Sequence, residues 1–224
     1  MKKQYIVTSL FATLVLGVLS WAGMRPVLTP GKIEGKGEEF AYVIETIGET
    51  ALVHVEWNVN DPQAVHQYKA ASHRRALELI QEGQNRRIDV QITFVRPVPL
   101  SVVREKVAQT GTTVYDYLMV GHSPEDRRVT SIYLGPISPE APDILQISFP
   151  NGENAGTLVG VMVLRGSVET MEASLGKWLS DPSVFLVDTT GVEVRRLIAE
   201  RHAAAISKRS VEIVLHSPFW NLDW

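Results

Sequence analysis

The sequence contains no cysteine. This absence excludes a thiol nucleophile, a disulfide framework, a lipid-modified N-terminal cysteine and every cysteine-ligated zinc or iron–sulfur site. It does not exclude export, because a domain of about 200 residues can build a sufficient core without disulfides.

An excess of positive charge is also lacking. The chain has 22 Lys and Arg against 25 Asp and Glu, a net charge of -3, and 45% hydrophobic residues, which is an ordinary globular composition. The first 24 residues contribute Lys2 and Lys3 and no acid, so the remainder carries a charge of -5. Because a nucleic-acid-binding surface needs excess positive charge to displace counterions, we expect no nucleic-acid partner.

Residues 6–24 contain no charge, in the run IVTSLFATLVLGVLSWAGM. As a helix this run is roughly 28 Å long, about the thickness of the hydrocarbon core of a bilayer. The preceding Lys2 and Lys3 favour a cytoplasmic N-terminus, and Trp21 is placed as an interfacial aromatic. We therefore predict a single-pass protein of the cell membrane with its soluble part outside the cytoplasm. The alternative is a signal peptide cut after Ser20-Trp21-Ala22, which gives a secreted protein.

Three segments follow from composition. Residues 1–24 are the membrane anchor or signal peptide. Residues 25–38, RPVLTPGKIEGKGE, contain two prolines, three glycines and five charges, and are predicted to be a linker. Residues 39–224 are predicted to form an extracytoplasmic α+β domain.

Turn residues and hydrophobic periodicity predict the elements of that domain. Asp61 with Pro62, Ser101 and Ser167 are expected to begin helices, and Thr190 with Glu193 is expected to form a capping box. The predicted elements are a hairpin at 40–59, a helix at 61–82, a strand at 87–95, a helix at 101–110, a strand at 113–121, a strand pair at 128–134 and 143–149, a strand at 157–165, a helix at 167–180, a strand at 183–188, a helix from 190 and a strand at 210–215.

The order strand–helix–strand occurs twice, over 87–120 and over 157–188. Two such βαβ units predict a ferredoxin-like (split βαβ) sandwich with both helices on one face of the sheet. The predicted strand pair at 128–149 is then a hairpin inserted between the two halves.

Residues 161–188 resemble the end of subtilisin-type propeptides. The residues that carry the resemblance follow a helix and lead into a strand that ends in an acid: Leu179, Asp181, Pro182, Val184, Val187 and Asp188. The resemblance implies a ferredoxin-like fold and a protease inhibitor or intramolecular chaperone. The chain departs from such propeptides because no protease domain follows and additional elements are present.

No pattern in the sequence predicts catalysis, a metal or a cofactor. The six histidines form no HExxH pair, and His66 and His73 lie two turns apart on one helix, too far apart to bind one ion together. Ser101 and Ser167 lie at strand–helix junctions, where a capping role explains them better than a nucleophilic one. No glycine-rich phosphate loop is present.

Two groups of residues are candidates for binding. Arg74, Arg75, Arg86 and Arg87 could form a basic patch for an anionic protein partner or lipid headgroups. The alternative is a solvated helix face that Glu78 and Glu82 balance.

The second group is the aromatic C-terminal tail, which contains Phe219, Trp220 and Trp224. Trp and Phe are typical anchors for a protein partner, and Trp also favours a membrane interface. The alternative is that the tail folds back onto its own domain.

These features lead to three functional hypotheses. The first is a membrane-tethered, extracytoplasmic, non-enzymatic domain that binds a protein partner or assists assembly. The second is a propeptide-like protease inhibitor or folding factor. The third is a hydrolase whose dispersed site forms no linear motif.

Overall fold

The computed structural model describes residues 32–37, 39–218 and 222. They form a mixed α+β fold dominated by two sheets. The predicted N-terminal anchor and three residues of the aromatic tail, Phe219, Trp220 and Trp224, lie outside the described residues. No helix within the described ranges has the length and apolar character needed to span a bilayer.

The elements alternate along the chain. The strands are β1 (Lys32–Lys36), β2 (Ala41–Ile47), β3 (Thr50–Glu56), β4 (Arg87–Val98), β5 (Thr113–His122), β6 (Arg128–Leu134), β7 (Leu145–Ser148), β8 (Asn154–Glu169), β9 (Val184–Asp188) and β10 (Ser210–Leu215). The helices are α1 (Pro62–Gln81), α2 (Leu100–Thr110), α3 (Lys177–Ser180), α4 (Thr190–Arg201) and α5 (Ala203–Ile206), and a π-helical turn (Glu172–Gly176) leads into α3.

The small sheet has the strand order β1-β2-β3-β10. The predicted hairpin is confirmed: β2 and β3 are antiparallel, and Gly48 in their turn has a φ of +59°, which glycine adopts without steric cost. β10 pairs with β3 in parallel. The predicted linker is wrong over 32–36, because these residues pair with β2 as β1 and Ile33 packs against the core.

The large sheet has the order β6-β5-β8-β4-β9, with all neighbours antiparallel, and β7 pairs with the first residues of β8. The near-continuous apolar run of β8 fits its central position, where both faces are covered. The expected hairpin between 128–134 and 143–149 is wrong. Both strands form, but β6 pairs with β5 while β7 pairs with β8 on its other side.

The predicted start and end of α1 are confirmed. The Asp61 side chain accepts a hydrogen bond from the Gln63 backbone N–H at 3.0 Å, Pro62 is the first helical residue, and Gly83 follows the helix with a φ of +66°.

α2 lacks the predicted serine cap. Its N-cap position is Pro99, and Ser101 lies inside the helix. Asp143, from the loop before β7, instead accepts hydrogen bonds from the Ser101 backbone N–H at 2.6 Å and from its hydroxyl at 2.8 Å. Gly111 ends α2 in the left-handed conformation, as predicted.

The predicted helix at 167–180 is wrong in its first part. Ser167 and Val168 belong to β8, and the helical residues begin only at Glu172. The position of Val168 fits both a strand and a helix. It is four residues after Leu164, so the two share one face of a strand, and it is seven residues before Leu175, so the two would also share one face of a helix. Pairing of Ser167 with both Asp89 and Thr113 extends the strand.

The capping box of α4 does not form as predicted. Thr190 lies within the helix and Thr189 takes the cap position without a side-chain capping bond. The Thr190 hydroxyl is instead bonded to Tyr68 and Arg75, and the Glu193 carboxylate faces Arg75. Thr190 and Glu193 therefore connect α4 to α1 and do not cap their own helix.

Two main clusters of buried side chains hold the elements together. The larger lies between the large sheet and α1, α2 and α3, and includes Phe94 and Trp178, whose rings meet edge to face. The smaller lies between the small sheet, α1, α4 and β9. α1 contributes to both, so it joins the two sheets at the β9 edge.

Candidate functional site

The predicted arginine patch is divided by the fold. Arg74, Arg75 and Arg86 line one cleft of about 500 Å³ between α1 and the start of α4. Arg87 lies elsewhere, where its guanidinium donates to the Gly111 carbonyl at 2.6 Å. Arg196 of α4, which the sequence analysis did not single out, completes the cleft.

Glutamates accompany the arginines of this cleft. Glu39 accepts from Arg74 at 3.1 Å and from Arg75 at 2.9 Å, and Arg75 also lies 3.5 Å from Glu193. The remaining ion pairs are Arg74 with Glu78, Arg86 with Glu82 and Arg196 with Glu200. Each guanidinium therefore already has an internal carboxylate, and the cleft carries little net charge with which to attract an anion.

A polar cluster lies beneath this cleft. The Tyr68 hydroxyl contacts the Asp188 carboxylate and the Thr190 hydroxyl, each at 2.8 Å, and Asp188 also accepts from the Thr190 backbone N–H at 2.9 Å. Arg75 donates to the Thr190 hydroxyl at 2.8 Å. The Trp57 ring stacks on Tyr68 with centroids 4.1 Å apart. The cluster thus connects β3, α1, β9 and α4.

Burial controls the protonation of this cluster. Desolvation raises the pKa of Asp188 above its ordinary value, although hydrogen bonds from Thr190 and Tyr68 act in the opposite direction. Burial and the nearby Asp188 charge hold the pKa of Tyr68 well above 10.0. Asp188 and Thr190 have no exposed surface and Tyr68 has 1%, so a substrate cannot reach these groups. The cluster is therefore suited to fixing the fold.

A smaller cavity of about 290 Å³ lies between the large sheet and β10. Tyr115 donates to Asp89 at 3.0 Å, Arg195 pairs with Asp89 at 3.0 Å, and Arg165 pairs with Asp116 at 2.7 Å. Asp89, Asp116, Arg165 and Arg195 on its walls are thus paired with one another.

The histidines and serines of interest lie at separate places in the fold. His66 and His73 line one cleft beside β9, and among the described residues no group of three His, Asp or Glu side chains is arranged to hold a metal. Ser123 accepts hydrogen bonds from the backbone N–H groups of Glu125 and Arg127, so it stabilises a turn. Ser101 is bonded to Asp143 and Ser167 lies in β8.

The outer edge of β6 is a feature that the sequence analysis missed. Its residues 129–134, VTSIYL, contain no charge and no proline, and no described strand pairs with their outer side. Ile132 is 39% exposed and Leu134 is 77% exposed. The uncharged run is visible in the sequence, but only the strand order of the sheet shows that β6 is an edge strand.

The first part of the C-terminal tail contacts the protein's own sheets. Trp57 donates its indole N–H to the His216 carbonyl at 3.3 Å, the Ser217 and Thr93 hydroxyls are 2.8 Å apart, and Pro218 is buried. Leu222 packs against a buried cluster on the large sheet. Phe219, Trp220 and Trp224 lie outside the described residues.

The comparisons with known proteins give no relative for this chain: no family model, no curated protein and no solved structure matches it.

Proposed function

We propose that the chain is a non-enzymatic interaction domain, held outside the cytoplasm by residues 6–24, and that an extended segment of a partner protein pairs with the outer edge of β6. The observation that carries this proposal is the edge strand β6, which is uncharged over residues 129–134 and has Ile132 and Leu134 exposed on it. An unpaired edge presents backbone donors and acceptors to another strand, and natural proteins usually protect such edges.

Three of the other sheet edges, those of β1, β9 and β10, carry such protection. β1 has charges at Lys32, Glu34 and Lys36. α1 covers β9, where the Ser72 hydroxyl donates to the Val187 carbonyl at 2.8 Å. On β10, Arg195 donates to the Val211 carbonyl at 3.3 Å. The contrast supports β6 as the docking edge, because selection against aggregation favours charges or covers at edges without a partner.

The side chains of β6 favour an apolar partner segment. Ile132 lies opposite Leu118 of β5, and Leu134 lies opposite Asp116 at the end of the strand. A bound strand adds main-chain hydrogen bonds for affinity, while alternate side chains supply specificity. We expect that segment to place apolar side chains beside Ile132 and Leu134.

Photo-crosslinking in native membranes tests this proposal. A photoreactive residue at Ile132 of the full chain should capture one defined protein, whereas the same residue at Ile47, which is 57% exposed on β2, should not. Ile132→Lys should reduce recovery of that protein about tenfold or more, because the buried ammonium has no partner. Ile47→Lys is the matched control.

The proposal fails if Ile132→Lys and Ile47→Lys recover the same proteins in the same amounts. A crosslinked product made of two copies of this chain would also overturn it, because the occupant would then be a second copy.

A second candidate function, a propeptide-like protease inhibitor or folding factor, has its own supporting observation. We propose that β4, β5, β8 and β9 with α2 and α3 form the ferredoxin-like (split βαβ) sandwich. The supporting feature is the fully antiparallel order β9-β4-β8-β5, in which β8 lies between β4 and β5. An inhibitor should slow a subtilisin-type protease at stoichiometric dose, and an unchanged rate would exclude this role.

A further inference from the structure

A row of polar side chains crosses the large sheet. Gln91 of β4 is paired in register with Arg165 of β8 and with Asp188 of β9. Arg165 is paired in turn with Asp116 of β5. Directly paired residues point to the same face of a sheet, so the four side chains lie side by side. Ile92, the chain neighbour of Gln91, belongs to the cluster beneath α2 and α3, so this polar row lies on the opposite face.

The cavity of about 290 Å³ lies over part of the polar row. Gln91, Arg165 and Asp116 line its large-sheet side, whereas α4 and β10 form its other wall. Ligand sites begin at about 300 Å³, so the cavity has room for one small molecule. The β10 wall is apolar and is formed by Val211, Ile213 and Leu215.

Gly191 of α4 keeps this cavity open. Among the described residues outside its own helix, a Cβ atom added at Gly191 would meet only the Ile213 methyl group, at 4.0 Å. Glycine within a helix is less favourable than alanine. Its position on the cavity wall therefore favours a role in leaving space for a ligand.

The Gln91 side chain is buried with unused hydrogen-bonding capacity. It is 3% exposed, and its amide nitrogen has no hydrogen-bond partner among the described residues. A buried donor without an acceptor destabilises a fold, so such a group calls for a partner. The terminal torsion of glutamine is broad, so the amide can turn toward an acceptor in the cavity.

Arg165 and Asp116 also keep capacity for a ligand. Arg165 donates from Nε to one Asp116 oxygen at 2.7 Å, and no described residue bonds its two Nη groups or the other Asp116 oxygen. The two Nη groups form a fork that matches a carboxylate, and the open Asp116 oxygen can accept from an ammonium group. Asp89 differs, because Tyr115 and Arg195 occupy both of its oxygens.

The charges around the cavity balance. Two aspartates and two arginines line it, and the alternation of β10 turns the Glu212 side chain away from it. A balanced wall gives no advantage to an ion of one sign. It suits a molecule that carries both charges and is neutral overall.

We propose that this cavity binds a free α-amino acid with an apolar side chain. The carboxylate binds the Arg165 Nη groups and the Gln91 amide, the ammonium binds the open oxygen of Asp116, and the side chain lies against β10. The two charged groups of an α-amino acid are close together, as are those of the Arg165–Asp116 pair. The inference does not depend on partner docking at the outer edge of β6, and the two proposals fail separately.

Titration calorimetry and melting curves on the full chain in detergent test the ligand class. The probes are alanine, valine, leucine and isoleucine, each added alone. At about 100-fold above its dissociation constant, the best of them should raise the melting temperature by about 5 °C or more. For leucine, the matched analogues are 4-methylpentanoate, which lacks the ammonium, and 3-methylbutylamine, which lacks the carboxylate. Each should bind about tenfold or more weakly than leucine, because it leaves a charged group of the site unpaired.

Two substitutions test the site itself. Gln91→Leu keeps the approximate size of the side chain and removes the amide. It should weaken binding about tenfold or more while the melting temperature without ligand stays equal or rises, because the lost donor had no partner. Gly191→Leu should abolish binding by filling the cavity. Gln146→Leu, exposed on β7, is the matched control and should bind as the native chain does.

Three results would overturn the proposal. They are the failure of all four amino acids to bind, binding of 4-methylpentanoate or 3-methylbutylamine as tight as that of leucine, and unchanged binding in Gln91→Leu. A Gln91→Leu chain that melts several degrees below the native chain without ligand would also overturn it, because the amide would then serve the fold. If Gly191→Leu does not fold, the Gln91→Leu result decides.

Discussion

Asp188 is a fully buried carboxylate, and the Thr190 hydroxyl beside it accepts a hydrogen bond from the Arg75 guanidinium. A buried acid without a direct counter-ion costs stability when it ionises. Two hydrogen bonds to the carboxylate, from Tyr68 and the Thr190 backbone, offset part of that cost.

This environment predicts a pH-dependent stability. Because the folded-state pKa of Asp188 is raised above 3.8, the folded protein binds the proton more tightly than the unfolded chain. Its contribution to stability therefore falls as the pH rises from that value through the folded pKa. Asp188→Asn cannot ionise, so its melting temperature should rise relative to the native chain between about pH 4 and 8. Melting curves across this range are the measurement, and a constant difference would contradict the prediction.

Trp178 provides a second prediction at this scale. It is 1% exposed, meets Phe94 edge to face, and donates its indole N–H to the Thr112 hydroxyl at 2.9 Å. Trp178→Ala should cost about 3–5 kcal/mol in the free energy of unfolding. Thr112→Val, which removes the hydrogen-bond acceptor and keeps the ring, should cost about 1–3 kcal/mol. An equal loss in both variants, measured by chemical denaturation, would assign the stability to the hydrogen bond and not to the ring.

At the scale of the element, α2 begins with a cap that comes from another part of the chain. Asp143 lies 42 residues after Ser101, whose N–H and hydroxyl bind its carboxylate. These bonds lower the pKa of Asp143, and the nearby Arg104 acts in the same direction. The carboxylate thereby ties the loop between β6 and β7 to the start of α2.

Asp143 and Asp188 change the stability of the protein with pH in opposite directions, because the pKa of Asp143 is lowered and that of Asp188 is raised. Since the folded-state pKa of Asp143 is lowered, its stabilisation is fully present above the unfolded value of about 3.8 and is lost as the pH falls through the folded value. Asp143→Asn should therefore lower the melting temperature near pH 6 and make little difference near pH 2. Ser101→Ala keeps the backbone N–H and should show a smaller effect. A loss that is the same at both pH values would contradict this account.

The hairpin, α1 and the end of α2 could be predicted because local residues determine them. Gly48, Asp61 with Pro62, and Gly111 each specify a backbone conformation that short-range physics favours. The cap of α2 and the length of β8 could not be predicted in this way. Ser101 meets a carboxylate from a distant loop, and Ser167 is held in β8 by strands on both sides.

The candidate sites also combine local features, which the sequence predicts, with contacts between distant residues, which it does not. The sequence places Arg74, Arg75 and Arg86 close together, but it does not show that Glu39 and Glu193 pair with them from 36 and 118 residues away along the chain. The edge position of β6 likewise depends on strand order, and β10 reaches β3 in parallel across 160 residues. Such long-range pairings follow from the topology and not from local periodicity.

At the scale of the whole molecule, the two sheets are joined through α1. Tyr68 stacks on Trp57 of the small sheet and contacts Asp188 of the large sheet, while Ser72 binds the β9 backbone. The segment after β10 is held here as well, since the Trp57 indole N–H donates to the His216 carbonyl. The N-terminal segment, which lies outside the described residues, is predicted to connect this domain to the membrane.

The orientation of that segment yields the last prediction. Lys2 and Lys3 precede the uncharged run 6–24, so the positive-inside rule predicts a cytoplasmic N-terminus with residues 25–224 outside. Protease added to intact spheroplasts should therefore digest the soluble part, while a cytoplasmic marker protein stays protected. Replacing both lysines by glutamate should reduce the fraction of digested chains, because it removes the charges that determine orientation. Mass spectrometry of the membrane-bound chain separates an anchor from a signal peptide, since cleavage after Ala22 would remove the first 22 residues. Full protection of the native chain in spheroplasts would refute the topology, because an exported domain cannot be shielded by the membrane that it has crossed.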